Sequence, residues 1–341
     1  MGTAVFIHGA RDVRIGRFEP PSGGEGATMV EVASVGICGS DLHYYKDGGI
    51  GSARIETPFI PGHEFSARLL EDVESRGLRR GQLVAVDPAR PCHRCEWCAK
   101  GYHNLCPHVR FLGAPPNHGA LTARMEVPID SLSGLPDGMS ADQGAMLEPL
   151  GVCIHAIDLA RPRLLEKVAV IGCGPIGLGI VQLLARGDCG DIVAVDPQPH
   201  RAALARTLGA NVAGDCIDAV LDATDGMGCH LVIEATNSPH GMGDAVKAAR
   251  IGGRLVLVGI PDGDRYEPLA AADTRRRGLS IRFSRRMGDV YPRSIELVAS
   301  GAIDVDVLVS HRFRLKDAPD AFALQADETP GLVKSMVYPG D

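Results

Sequence analysis

Two hydrophobic patterns follow one another along this chain, and the change falls near residue 147. Up to that point, short apolar segments alternate with polar positions and are broken every few residues by Pro or Gly. Residues 28–35 half-alternate as a strand does, and residues 82–86 form a second strand-like run entered by Gly81. This pattern predicts a β-rich, barrel-like domain. From about Met146 the period lengthens. Residues 152–160 pattern as a helix, and apolar strands then alternate with helical stretches. The expected strands are 167–171, 191–195, 231–235, 254–258 and 279–283. Several are near-continuous Val, Ile and Leu, as in parallel strands covered on both faces, so a doubly wound α/β domain is expected. From about Ser284 a helix at 291–300 precedes short strands, and this tail is expected to return to the first domain. The predicted organisation is therefore 1–147, 148–283 and 284–341, in the α/β class.

Length and composition agree with two domains. The chain has 341 residues, 45% of them hydrophobic, with 42 glycines and 23 prolines that mark turns rather than disorder. Its formal net charge of -7 argues against nucleic acid or an anionic membrane as partner. The basic runs Arg79-Arg80, Arg275-Arg276-Arg277 and Arg285-Arg286 read as solvated faces, Arg286 excepted. No apolar run reaches the roughly 18 residues of a spanning helix, and the first residues lack the pattern of a signal peptide. Ten cysteines without an export signal suggest reduced thiols and metal ligands, and a cytoplasmic location is expected.

The expected strand 167–171 runs into Gly172-Cys173-Gly174-Pro175-Ile176-Gly177 and an apolar helix. In that context Gly172 permits a tight turn, Gly174 lets the backbone approach a pyrophosphate, and Gly177 allows close packing of helix on strand. The phosphates then sit at a helix N-terminus. Asp196 closes the next strand at the spacing expected of a ribose-binding acid. A carboxylate there repels a 2′-phosphate, which favours NAD over NADP. Arg201 is placed near the adenine, and Val258, Gly259 and Ile260 at the end of a later strand are expected to contact the cofactor.

Cys92, Cys95, Cys98 and Cys106 can close tetrahedrally around one structural zinc, leaving no open position. Two disulfides, a redox CxxC pair or a nucleic-acid zinc ribbon are the competing readings, and compartment, cysteine number and the mixed local charge weigh against them in turn. Three further segments carry candidate ligands for a second metal: Cys38 to His43, Pro61-Gly62-His63-Glu64, and Glu148-Pro149-Leu150. Spacing alone does not make them converge.

In this order, around a four-cysteine lobe and before a GxGxxG turn, these segments resemble the zinc-dependent medium-chain alcohol dehydrogenases over essentially the whole chain. The stretch His43-Tyr44-Tyr45-Lys46-Asp47-Gly48-Gly49-Ile50-Gly51, Glu148-Pro149-Leu150 and Ser310-His311-Arg312-Phe313 are similar to the polyol and sugar-acid branch, which includes sorbitol, xylitol and L-idonate dehydrogenases. The resemblance implies a GroES-like catalytic domain, a Rossmann coenzyme domain and a homotetramer, or failing that a homodimer. It implies a catalytic zinc surrounded by Cys38, His63 and Glu64, with Glu148 as a ligand or as the holder of its water. It also implies Asp41 orienting His63, a proton relay through Ser40 and His43, and substrate contacts from Tyr44 and Arg286. The reaction so implied is removal of a hydride from a hydroxyl-bearing carbon of a polyol or sugar acid by NAD, giving a ketone.

Three positions depart from the branch's pattern. Met287 stands where an aromatic usually follows the arginine, Arg285 replaces an apolar residue, and Ala67 stands for a glycine. A paired Arg285-Arg286 tilts the expected substrate slightly towards an acidic sugar. L-threonine dehydrogenase is a sister reading that shares the ligand segments. A non-enzymatic nucleotide-binding relative is disfavoured because all the zinc ligands are present.

Overall fold

A computed structural model describes residues 2–21, 24, 26–269 and 271–340. The chain divides into two compact units, Met1–Pro149 with Gly288–Asp341, and Leu150–Met287.

The first unit is built on a seven-stranded sheet. Its spine is the strand Ala27–Gly36, whose alternate residues are buried from Thr28 onward. That is the period-two pattern of a strand with one face on a core. It pairs antiparallel with Glu64–Leu69, Arg124–Pro128 and Lys334–Tyr338. The last of these arrives from the far end of the sequence and brings the parallel neighbour Val309–Arg314 with it. Val30, Val32, Val35, Phe59, Phe65, Leu69 and Leu121 are all at or near zero exposure in the core beneath. Each such side chain contributes about 1.5–3 kcal/mol by leaving water.

The second unit is a six-stranded parallel sheet. In spatial order the strands are Val212–Gly214, Ile192–Val195, Val168–Ile171, Cys229–Glu234, Ala249–Leu257 and Ser280–Phe283. Numbered along the chain this order is 3-2-1-4-5-6, the doubly wound arrangement with its switch point beside the first strand. Val168–Ile171 and Ile192–Val195 are buried at every residue, which is why they read as unbroken apolar runs.

The structure corrects several expected bounds. The helix expected at 152–160 spans Ala141–Ala160 and contains Pro149. Its start is fixed by a reciprocal cap, in which the Gln143 backbone N–H donates to Ser140 Oγ and the Ser140 N–H to Gln143 Oε1. The strand expected at 254–258 begins earlier, at Ala249. The segment 39–47, not assigned from the pattern, is a helix, Gly39–Asp47. No helix among the described residues is long and apolar enough to cross a membrane.

Candidate metal and cofactor sites

In the first unit, two pieces of backbone deliver one donor cluster. Cys38 caps the helix Gly39–Asp47 just after the central strand, while Glu64 opens the neighbouring strand Glu64–Leu69 and His63 directly precedes it. Donor atoms of Cys38, His63 and Glu64 all lie within 4.8 Å of one another. The chain can make the approach because Gly62 takes φ 94°, where a Cβ would meet Val35 Cγ1 at 2.8 Å. Asp41 ties the pieces together from behind. It is fully buried; its Oδ2 accepts from the Cys38 N–H at 3.0 Å and its Oδ1 from the Gly62 N–H at 3.3 Å.

The same Asp41 Oδ1 lies 3.6 Å from His63 Nδ1, which is buried without a hydrogen bond. With Nδ1 turned to the carboxylate, Nε2 is the nitrogen left for a metal. Burial pulls the His63 imidazole down, but the charges of Asp41 and Cys38 outweigh it and hold the ring well above its ordinary value. The pocket thus favours positive charge at this point, and its soft-and-borderline donor set of thiolate, imidazole and carboxylate suits zinc.

Glu148 is buried on the helix Ala141–Ala160 and is not one of the three mutually close donors. Burial first, then the Glu64 and Asp87 charges, raise its carboxyl to about 7 against the opposing pull of His63 and Lys334. Ser40 Oγ is 3.5 Å from His63 Nε2, and His43 Nδ1 is 3.4 Å from Asp47 Oδ2. Ser40 and His43 lie three residues apart on one helix, so they share a face. Tyr44 is 5% exposed and sits edge-on to Phe59 in the apolar core, with ring centroids 5.3 Å apart. Arg286 belongs to the second unit and takes a left-handed φ of 54°.

One participant was not visible in the sequence. Lys334, at the start of the returning strand, is 2% exposed and forms an ion pair with Glu64 Oε2. Burial lowers its tendency to hold a proton, but the negative charges of Glu64 and of the Cys38 sulfur more than offset this.

The cysteine lobe is a separate centre. Donor atoms of Cys92, Cys95, Cys98 and Cys106 all lie within 4.8 Å of one another. Cys95 Sγ is 3.5 Å from Cys98 Sγ and 3.8 Å from Cys106 Sγ. Backbone N–H donation at Arg94 lowers the Cys92 thiol to about 6, whereas burial and its sulfur neighbours push Cys98 up to about 12. Four sulfurs this close, with no other donor among them, form the closed thiolate set that suits a tetrahedral structural zinc.

In the second unit the glycine turn links Val168–Ile171 to the helix Pro175–Ala185. Gly172 takes φ 90°, and its Cβ would lie 2.8 Å from the Ala235 carbonyl. A Cβ on Gly177 would lie 1.8 Å from the Gly172 carbonyl, so this glycine serves packing. A Cβ on Gly174 would meet nothing within 4 Å, so its face of the turn is open. Pro175 and Ile176 open the helix, with Pro175 in its first turn. Asp196 is buried and holds the turn as well. Its Oδ2 accepts from the Cys173 N–H at 2.7 Å and its Oδ1 from the Gln198 N–H at 2.8 Å. Arg201 lies on the following helix, Pro199–Thr207. Val258, Gly259 and Ile260 follow the strand Ala249–Leu257. A Cβ on Gly259 would lie 1.9 Å from the Thr236 carbonyl, so contact within the protein already demands a glycine there.

Residues 24–137 match the alcohol dehydrogenase GroES-like domain, and residues 175–300 the zinc-binding dehydrogenase domain. The chain is 33% identical over 342 residues to sorbitol dehydrogenase of Bacillus subtilis, covering 98% of this chain and 97% of that protein. It is 34% identical to L-idonate 5-dehydrogenase of Vitis vinifera over 95% of this chain and 91% of that one. The crystal structure of 2R,3R-butanediol dehydrogenase from Bacillus subtilis superposes with a TM-score of 0.86 at 29% identity, covering 99% of this chain and 100% of that one.

Proposed function

This chain belongs to the zinc-dependent medium-chain alcohol dehydrogenases, in their polyol branch, and from that premise we propose that it oxidises a secondary hydroxyl of a polyol or sugar acid to a ketone with NAD. The observation that carries the reading is the convergence of Cys38, His63 and Glu64 on one buried point backed by Asp41. When bound there, zinc supplies Lewis acidity to the substrate hydroxyl, and NAD supplies the hydride acceptor.

The chain's own residues do the rest. Cys38 and His63 hold the metal, with Glu64 as the third donor, and Asp41 fixes the His63 tautomer. Glu148, buried near the cluster but outside it, holds the water of the site. Ser40 accepts the substrate proton and His43 passes it towards solvent, which their shared helix face permits. Gly174 and the N-terminus of the helix Pro175–Ala185 receive the pyrophosphate, Asp196 the adenosine ribose and Arg201 the adenine. Tyr44 and Arg286 are each proposed as a substrate contact on the resemblance to the polyol branch alone, Tyr44 being packed against Phe59 in the core of its own unit. We also place the protein in the cytoplasm, where ten free cysteines stay reduced, and assign it a homotetrameric assembly.

The test compares sorbitol, xylitol, galactitol, L-idonate and L-threonine with NAD and NADP, alongside zinc analysis. Two zincs per chain and a preference for a polyol or aldonate with NAD are expected. Full activity with a single zinc, or threonine as the best substrate, sinks the reading.

A further inference from the structure

The ion pair of Glu64 and Lys334 is built across an intervening strand. Glu64 lies on Glu64–Leu69 and Lys334 on Lys334–Tyr338, and the central strand Ala27–Gly36 runs between them. The two side chains meet over Gly36, which pairs with Glu64 on one side and Met336 on the other. A Cβ on Gly36 would lie 2.3 Å from Glu64 Oε2 and 3.1 Å from Lys334 Cε, so the pair exists only because that residue has no side chain. The ammonium also donates to the Ile37 carbonyl at 3.0 Å, immediately before Cys38. Both charged side chains are 2% exposed.

A lysine this deep is rare unless a fixed anion holds it. Its partner here is not a spare acid but the carboxylate proposed as a metal donor. We propose that Lys334 is a positioning residue for the zinc site: a resident counter-cation that takes Glu64 Oε2, keeps the donor cluster assembled without metal, and leaves Glu64 a single oxygen for the ion. This rests on the reading of Cys38, His63 and Glu64 as zinc donors. Two consequences follow. Without metal, the buried carboxylate is already neutralised, so the first unit need not wait for zinc to fold. With metal, part of the attraction of Glu64 for zinc is spent on the ammonium, so the lysine weakens binding while it stabilises the empty site.

The pair of effects has opposite signs, and that separates positioning from plain packing. In Lys334→Met the metal-free protein melts roughly 10 °C lower, because a buried carboxylate is stranded. The same variant binds its second zinc roughly tenfold more tightly in competition with a chromophoric chelator, because the metal now relieves that carboxylate. Lys334→Met/Glu64→Gln recovers most of the metal-free melting temperature and loses the gain in affinity. Should Lys334→Met fail to fold without zinc, folding on zinc addition and folding of the double variant without it give the same support. Unchanged or weaker zinc binding by Lys334→Met, or a melting loss that Glu64→Gln does not repair, overturns the proposal. Metal analysis of the unaltered protein separates the two levels. A single zinc per chain removes the zinc-site reading and this inference together, while two zincs with either adverse result remove this inference alone.

Discussion

At the scale of residues, the donor cluster is governed by charges that burial has made expensive. Glu148 shows this in a measurable way. Its carboxyl rises from 4.5 in an exposed chain to about 7 in the folded protein, with burial as the largest cause. A group raised on folding lends stability that is complete below its unfolded value and is lost as pH passes its folded value. His63 is also raised, so it acts in the same direction above its own ordinary 6.5. The melting temperature of the metal-free protein therefore falls as pH rises from 4.5 through 7. Glu148→Gln flattens that fall, by a few kcal/mol at most. Thermal melts of both proteins in chelator across this range measure it, and parallel slopes exclude Glu148 as the cause. Cys38, His63 and Glu64 stood out as candidate ligands because they lie in recognisable segments, but only the fold brings their donor atoms together. Lys334 did not stand out, because Val333-Lys334-Ser335-Met336-Val337 reads as an ordinary strand with a polar residue. Only the pairing of that strand beside Gly36 turns its lysine inward onto Glu64.

At the scale of elements, what the strand–turn–helix unit of the coenzyme domain asks of its glycines differs from one to the next. Gly177 faces the Gly172 carbonyl at a distance no Cβ can occupy, whereas Gly174 faces open space. Gly177→Ala must separate helix Pro175–Ala185 from the strand before it, and it costs about 1–3 kcal/mol or more of stability. Gly174→Ala leaves the melting temperature within about 1 °C, yet it weakens NADH binding roughly tenfold if a pyrophosphate packs on that face. Melting curves and fluorescence titration with NADH distinguish the two, and an unaltered NADH affinity in Gly174→Ala places the phosphates elsewhere. The turn was legible because its chemistry is local. The true start of the helix carrying Glu148 was written just as locally, in Ser140 and Gln143. Pro149 interrupts the helical pattern of the sequence between that cap and residues 152–160, whereas in the structure the helix runs through it.

At the scale of the whole molecule, the two units differ in how their chain is spent. Leu150–Met287 is one continuous segment whose six strands all lie within it. Its parallel, doubly wound character was legible because its buried strands are short apolar runs alternating with helical stretches, whereas the three-residue edge strand Val212–Gly214 is too short and too little buried to stand out. The other unit is discontinuous, and its sheet needs Lys334–Tyr338 against the central strand. The residues of that strand from Lys334 to Val337 are buried, so without it the edge of Ala27–Gly36 and the apolar face beneath it are open to water. Tail strands of this kind are short and mixed in pattern, so sequence could place them only as a return to the first domain. A fragment of residues 150–287 should therefore melt cooperatively and still bind NADH. A fragment of residues 1–149 should not fold by itself, and joining 288–341 to it through a flexible linker should restore a cooperative transition together with the binding of two zincs. Circular dichroism melts and metal analysis of the three fragments decide the matter. A stable, zinc-binding 1–149 fragment contradicts it, since the sheet would then close without its returning strand and without the lysine that this strand brings to Glu64.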